Sequence, residues 1–118
     1  MKWIGRVPRA RLANGAMVRL EYPPFHALVA LVDDTPHAIE DACNHAGASL
    51  SEGERRGACV MCPMHAYAFD LVTGRLLWPR GLCGDQRRLT ALVEGDDVVV
   101  WDPGPGVEIL GADGSPAR

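Results

Sequence analysis

Two short patterns, Cys43-Asn44-His45 and Cys62-Pro63-Met64-His65, stand sixteen residues apart in a stretch dense in glycine and proline. Each offers one thiolate and one imidazole within a few residues. Brought face to face, the two segments make a four-ligand metal site of two sulfur and two nitrogen donors. A chain that presents such a pair of loops needs a base that delivers both to the same place.

The way the donors are distributed bears on the metal. A zinc site of this composition usually takes both cysteines from one element and both histidines from another. Here each segment supplies one of each. That mixing suits a [2Fe–2S] cluster, with Cys43 and Cys62 on one iron and His45 and His65 on the other. A zinc-bound structural module, or four ordinary buried side chains with no metal, stay as alternatives on the residues alone.

The flanks read as β-structure. Nine prolines and thirteen glycines are spread along the chain, which shows no long run of period 3.6. Residues 16–22 (AMVRLEY) and 26–32 (HALVALV) are short runs rich in β-formers, separated by Pro23-Pro24 and ended by Asp33-Asp34. Residues 37–40, 89–94 and 97–101 are further strand candidates, and residues 1–7 add an outer strand. Gly95-Asp96 reads as a tight hairpin turn between two of them. Between the flanks, residues 41–85 hold all four cysteines (Cys43, Cys59, Cys62 and Cys83) and read as a loop-rich subdomain inserted into a β base. The expectation is an all-β chain with one domain over residues 1–103. Residues 104–118, rich in glycine and proline, are expected to form a flexible tail.

A length of 118 residues suits one domain with a modest core, to which a loop-tying cofactor adds useful stability. The net charge is -3, and no basic patch suggests a nucleic-acid surface. No apolar run approaches the roughly 20 residues needed to span a membrane. The basic first residues lack the apolar segment of a secretory signal. The expected location is the cytoplasm, where Cys59 and Cys83 are thiols rather than a disulfide and act as bystanders. His26 and His37 fall in base strands and are not read as ligands. The three tryptophans, Trp3, Trp78 and Trp101, are read as packing residues. Glu94, Asp96 and Asp97 are read as a solvated hairpin.

The ligand segment resembles the Rieske family, whose pattern is C-x-H, a gap of this size, then C-x-x-H. The resemblance extends to His45-Ala46-Gly47 with Leu50-Ser51-Glu52-Gly53, and to Cys62-Pro63-Met64-His65-Ala66-Tyr67-Ala68-Phe69-Asp70 with Thr73-Gly74. Pro79 resembles the proline of a third loop that shields the cluster. The resemblance covers most of residues 2–102 and implies stacked antiparallel sheets with one [2Fe–2S] cluster at one tip. Ala66 departs from the usual glycine after the second histidine, and Asn44 from the usual proline or threonine. Neither removes a ligand.

The resemblance also carries an expectation about the electron. Exchanging two thiolates of an all-cysteine cluster for neutral imidazoles makes the oxidised cluster neutral and raises its potential, into a range of about -150 to +300 mV for Rieske centres. The high-potential branch has a disulfide between the two loops, and the matching positions here are Ala48 and Met64. That branch also has serine and tyrosine donors to sulfur where this chain has Tyr67 and Phe69. Fewer donors imply a potential near the bottom of the range. The pattern resembles ferredoxins that carry single electrons from a flavin-containing reductase to a terminal oxygenase. A diffusing monomer is expected, with no catalysis by this chain alone. Leu50 and Trp78 are expected in an apolar docking patch at the tip. A Rieske-like small subunit of a larger reductase, such as a nitrite reductase, is the alternative within the family.

Overall fold

The computed structural model describes residues 1–43, 47–64, 67–79 and 84–104. His45, His65 and Cys83, with Asn44, Ala66 and the expected tail beyond residue 104, lie outside the described residues.

The strands are β1 (Lys2–Pro8), β2 (Met17–Leu20), β3 (Ala27–Val32), β4 (Thr35–Glu40), β5 (Glu54–Arg56), β6 (Cys59–Met61), β7 (Ala68–Asp70), β8 (Leu76–Trp78), β9 (Arg88–Glu94) and β10 (Asp97–Asp102). They form two antiparallel sheets: a six-stranded base ordered β1-β10-β9-β4-β3-β2 and a four-stranded sheet ordered β5-β6-β7-β8. The smaller sheet lies within the segment expected to be loop-rich. Its strands are three residues each. That is too short for a two-residue alternation to stand out in the sequence.

The base sheet curls on itself. Its two edges approach closely enough that a Cβ on Gly5 of β1 would sit 3.6 Å from Leu20 Cδ1 of β2. Val7, Val18, Ala27, Val29, Ala38, Leu89, Val98 and Val100, drawn from all six strands, fill the inside. Leu12 joins them from a 3₁₀ turn over Arg9–Gly15. No local pattern in the sequence marks that turn.

Strand β3 explains how the two sheets are joined. Ala27, Leu28, Val29 and Ala30 are all fully buried. Ala27 and Val29 face the inside of the curl, while Leu28 and Ala30 face a second core shared with the smaller sheet. An uninterrupted apolar run is what a strand covered on both faces requires. The β3–β4 turn places Asp33 and Asp34 at φ of 51° and 67°, between the paired Val32 and Thr35. This is the type I′ geometry whose twist matches the strands, and aspartate tolerates it. Gly95 alone has positive φ in the β9–β10 turn, the type II′ pattern.

The outer face of β1 and β10 carries an edge-to-face pair, Trp3 and Trp101, with ring centroids 5.1 Å apart. Arg6 lies over the Trp3 ring and also bonds Glu94 at 3.0 Å and Asp97 at 3.2 Å. The acidic hairpin is therefore paired, though pairs this exposed add little stability. Trp78 departs from the packing expectation and stands 61% exposed.

A charged knot fastens the base beneath the ligand-bearing loops. Asp102 bonds the Arg87 guanidinium and accepts from the Tyr22 hydroxyl at 2.8 Å and the Gly104 N–H at 2.8 Å. The Arg87 bond outweighs burial and holds the Asp102 carboxyl at about 2 instead of 3.8. A native carboxyl more acidic than its unfolded counterpart contributes stability above the unfolded pKa. The contribution is lost as pH falls through the native one. Glu40, on the other side of Arg87 at 3.8 Å, is pushed up by burial and works in the opposite sense. Comparing the protein with Asp102→Asn therefore isolates the Asp102 part. The difference should be about 2 kcal/mol near neutral pH and fade between about pH 4 and pH 2, read from chemical denaturation at each pH. A difference that persists at pH 2 would contradict the assignment.

Candidate metal centre

The first loop leaves β4 under tight control. Gln86 Nε2 donates to the carbonyls of Glu40 at 2.9 Å and Ala42 at 2.6 Å. On the other side the Asp41 N–H donates to His26 O at 3.0 Å. Cys43 follows immediately. Its N–H donates to Ala48 O at 2.7 Å, and its carbonyl accepts from Gly47 N–H at 2.6 Å, so the loop closes on itself. The carboxylate of Asp41, 1% exposed, then pins the 3₁₀ turn over Leu50–Glu52 that ends the loop: it accepts from Ser51 N–H at 2.6 Å and bonds the Ser51 hydroxyl at 2.7 Å.

The second loop leaves β6 and repeats the device. Cys62 N–H donates to Tyr67 O at 2.7 Å, just before β7 begins. In both loops, then, the cysteine N–H reaches the carbonyl five residues on. Each cysteine sits at the start of its loop with its backbone fixed.

Both side chains lie in the second core. Cys43 and Cys62 are 1% and 2% exposed and pack with Leu28, Ile39, Leu50, Val60, Phe69 and Leu71. Both stand as thiols. Two sulfur donors buried among aliphatic and aromatic groups are shielded from water, where a soft metal ion can hold them. A bound iron does so, and soft sulfur donors are what an iron–sulfur cluster takes. The described half of the site therefore fits the group. The other two expected ligands, His45 and His65, lie outside the described residues.

The segment expected to shield the site runs from β8 onwards. The Trp78–Pro79 peptide bond is cis. The hairpin before it is built by residues that the family resemblance includes. Asp70 Oδ1 accepts from Val72 N–H at 2.7 Å, and Thr73 Oγ1 accepts from Arg75 N–H at 3.2 Å. Gly74 takes φ +80°, and any side chain there would strike the Gln86 carbonyl. Gln86 N–H in turn donates to Gly74 O at 2.7 Å. One residue thus holds the first loop by its side chain and the β7–β8 turn by its backbone.

Leu50 must be reassigned. It was expected on a docking surface, but it is fully buried in the second core at the end of the first loop. An aliphatic side chain between two short loops finds more apolar contact inward than outward. Among the described residues, Met64 in the second loop and Leu77 and Trp78 on β8 are exposed apolar side chains, at 64%, 44% and 61%. Tyr67 is half-buried against the second core. Cys59 is partly exposed on β6 and donates to Arg56 O at 3.2 Å. His26 Nδ1 accepts from Tyr22 N–H at 3.0 Å in the Pro23-Pro24 turn. His37 on β4 has its pKa lowered by burial first and by Arg88 second, which favours a neutral ring. Among the described residues, no three His, Cys, Asp or Glu side chains gather into a metal site elsewhere. No helix there is long and apolar enough to cross a membrane. The sequence reading missed Asp41 and Gln86. Asp41 stands two residues before Cys43, which is a weak signal, and nothing local marks Gln86.

Residues 2–82 match the family described as the Rieske [2Fe-2S] domain. The chain is 37% identical over 89 residues to the ferredoxin component of biphenyl 2,3-dioxygenase from Rhodococcus jostii (strain RHA1), covering 75% of this chain and 82% of that one. It is 38% identical over 78 residues to the 3-phenylpropionate/cinnamic acid dioxygenase ferredoxin subunit of Escherichia coli (strain K12), covering 65% and 73%. Among solved structures, it is similar to a chain in the complex of reduced oxygenase and oxidised ferredoxin of carbazole 1,9a-dioxygenase. There the TM-score is 0.77 with 28% identity, over 85% of this chain and 93% of that one. The ferredoxin of carbazole 1,9a-dioxygenase from Nocardioides aromaticivorans IC177 shares the fold, with a TM-score of 0.74, 23% identity, and coverage of 86% and 98%.

Proposed function

This chain belongs to the Rieske [2Fe-2S] domain family, and from that membership we propose that it is a ferredoxin that carries one electron at a time from a flavin-containing reductase to a terminal oxygenase. The observation that carries the reading is the placement of Cys43 and Cys62, from two matching loops, in one buried core. In this reading Cys43, His45, Cys62 and His65 hold a single [2Fe–2S] cluster. When bound, the cluster supplies a one-electron couple and nothing else. The protein's part is to fix both loops, keep water from the cysteine side and present the other side to a partner. The curated relatives are ferredoxin components of dioxygenases, and in this reading the chain is likewise a carrier and not an enzyme. Reduced thiols fit a cytoplasmic protein.

The same reading includes a low potential. Phe69, which stands where the high-potential branch has a hydroxyl donor, is fully buried and has no hydroxyl to offer. A potential well above zero in a redox titration would overturn this part alone.

The test of the whole is EPR of the purified protein, before and after dithionite, with iron and acid-labile sulfide assayed on the same sample. Silence when oxidised, then a rhombic signal with average g below the free-electron value, supports the reading. A colourless, silent protein containing zinc overturns it.

In the same reading Trp78, 61% exposed on β8, is the apolar residue for docking. Large aromatic side chains supply most of the binding energy at such surfaces. Trp78→Glu should slow electron transfer to the oxygenase about tenfold at limiting concentration while leaving the cluster spectrum unchanged. Equal rates would remove Trp78 from the docking surface.

A further inference from the structure

Asp41 is a charged group in an unusual place. It is 1% exposed and stands two residues before Cys43, so its Cα lies within about 7 Å of the cysteine's. Its oxygens are held by Ser51 N–H at 2.6 Å and the Ser51 hydroxyl at 2.7 Å. Its only cationic neighbour among the described ion pairs is Arg19, from β2, whose Nε lies 3.7 Å from Oδ2. The two charges are screened unequally. The Arg19 side chain is 39% exposed and that of Asp41 only 1%. Water therefore weakens the field of the cation more than that of the anion. A group bound at Cys43 feels a net negative charge from this pair.

We propose that the Arg19–Asp41 pair sets the reduction potential of the cluster, with the Asp41 carboxylate lowering it and Arg19 partly cancelling that effect. This rests on the electron-carrier reading. Adding an electron makes a neutral oxidised Rieske cluster negative, so a fixed negative charge nearby disfavours the reduced state. A carrier that must give its electron onward gains driving force from such a charge. Asp41 also staples the first loop, and Arg19 reaches it from a different strand of the base. The pair thus acts on the cluster through its charge as well as its shape.

The two roles separate in experiment. Asp41→Asn keeps an acceptor for Ser51 N–H and a donor for the Ser51 hydroxyl, so the staple survives and the charge does not. Redox titration of the reduced EPR signal should show Asp41→Asn raising the equilibrium constant for reduction threefold or more, about 28 mV for a one-electron couple. Arg19→Gln should shift it the opposite way, and the double variant should lie between the two. Arg19→Lys should restore the wild-type value. A purely structural role predicts no opposite-sign pair. If Asp41→Asn fails to hold its cluster, Arg19→Gln against Arg19→Lys decides: a lower potential for glutamine supports the proposal, and equal potentials overturn it. Singles that both stay at the wild-type value, or that move in the same direction, also overturn it. A wild-type protein without the Rieske signal would sink the electron-carrier reading and this proposal together. A normal signal with unmoved potentials sinks the proposal alone.

Discussion

Cys62→Ser should come out of expression without colour, without iron or acid-labile sulfide, and without the reduced EPR signal. Serine oxygen is a hard donor and a poor substitute for thiolate on iron. Cys62 opens the second loop with its N–H bonded to Tyr67 O, so no neighbouring thiol can take its place without rebuilding that loop. Cofactor binding and folding are coupled, so the thermal midpoint should fall as well. Cys43→Ser should behave alike, because Cys43 holds the equivalent place in the first loop. Cys59→Ser is the control. That thiol is partly exposed on β6 and donates to Arg56 O, so its variant should keep full iron and colour. A Cys62→Ser protein with a full iron and sulfide content would remove Cys62 from the site.

Phe69→Ala should destabilise the protein by about 3–5 kcal/mol, the usual loss for an aromatic deleted from a packed core. Phe69 is fully buried and is the largest of the buried side chains. It lies in the core that holds both cysteines, on β7 between Val60 of β6 and Leu76 of β8. A domain of this size commonly has about 5–15 kcal/mol in all, so the variant should sit near the edge of folding. It should also lose iron faster to a chelator, because its cavity opens beside the cysteines. The measurement is the denaturant midpoint at unchanged slope, with chelation followed by visible absorption. Phe69→Leu, which conserves most of the volume, should cost less than about 1.5 kcal/mol. A loss below about 1 kcal/mol for alanine would mean that the core collapses around the gap.

Several features were legible because they are local. The run at residues 26–32, rich in β-formers, reads as a strand, and β3 (Ala27–Val32) is one. Asp33-Asp34 and Gly95-Asp96 mark turns through the backbone angles those residues tolerate. Asp70, Thr73 and Gly74 entered through the family resemblance, and each has a hydrogen bond or a close approach that accounts for it. The Arg9–Gly15 turn and the three-residue strands of the smaller sheet were not legible, because neither carries enough residues to display a period.

What the sequence determined by itself is chemical: which donors are available, at what spacing, and that the flanks are β-structure. Residue types and short spacings belong to the chain before it folds. Only the tertiary structure decided what surrounds those donors. It turned Leu50 inward and left Trp78 outside. It brought Gln86 across to Glu40 and Ala42, and Arg19 from β2 to the Asp41 carboxylate. These contacts join residues far apart in the chain, and their partners are selected by packing and by the need to satisfy buried polar groups. No local pattern encodes them.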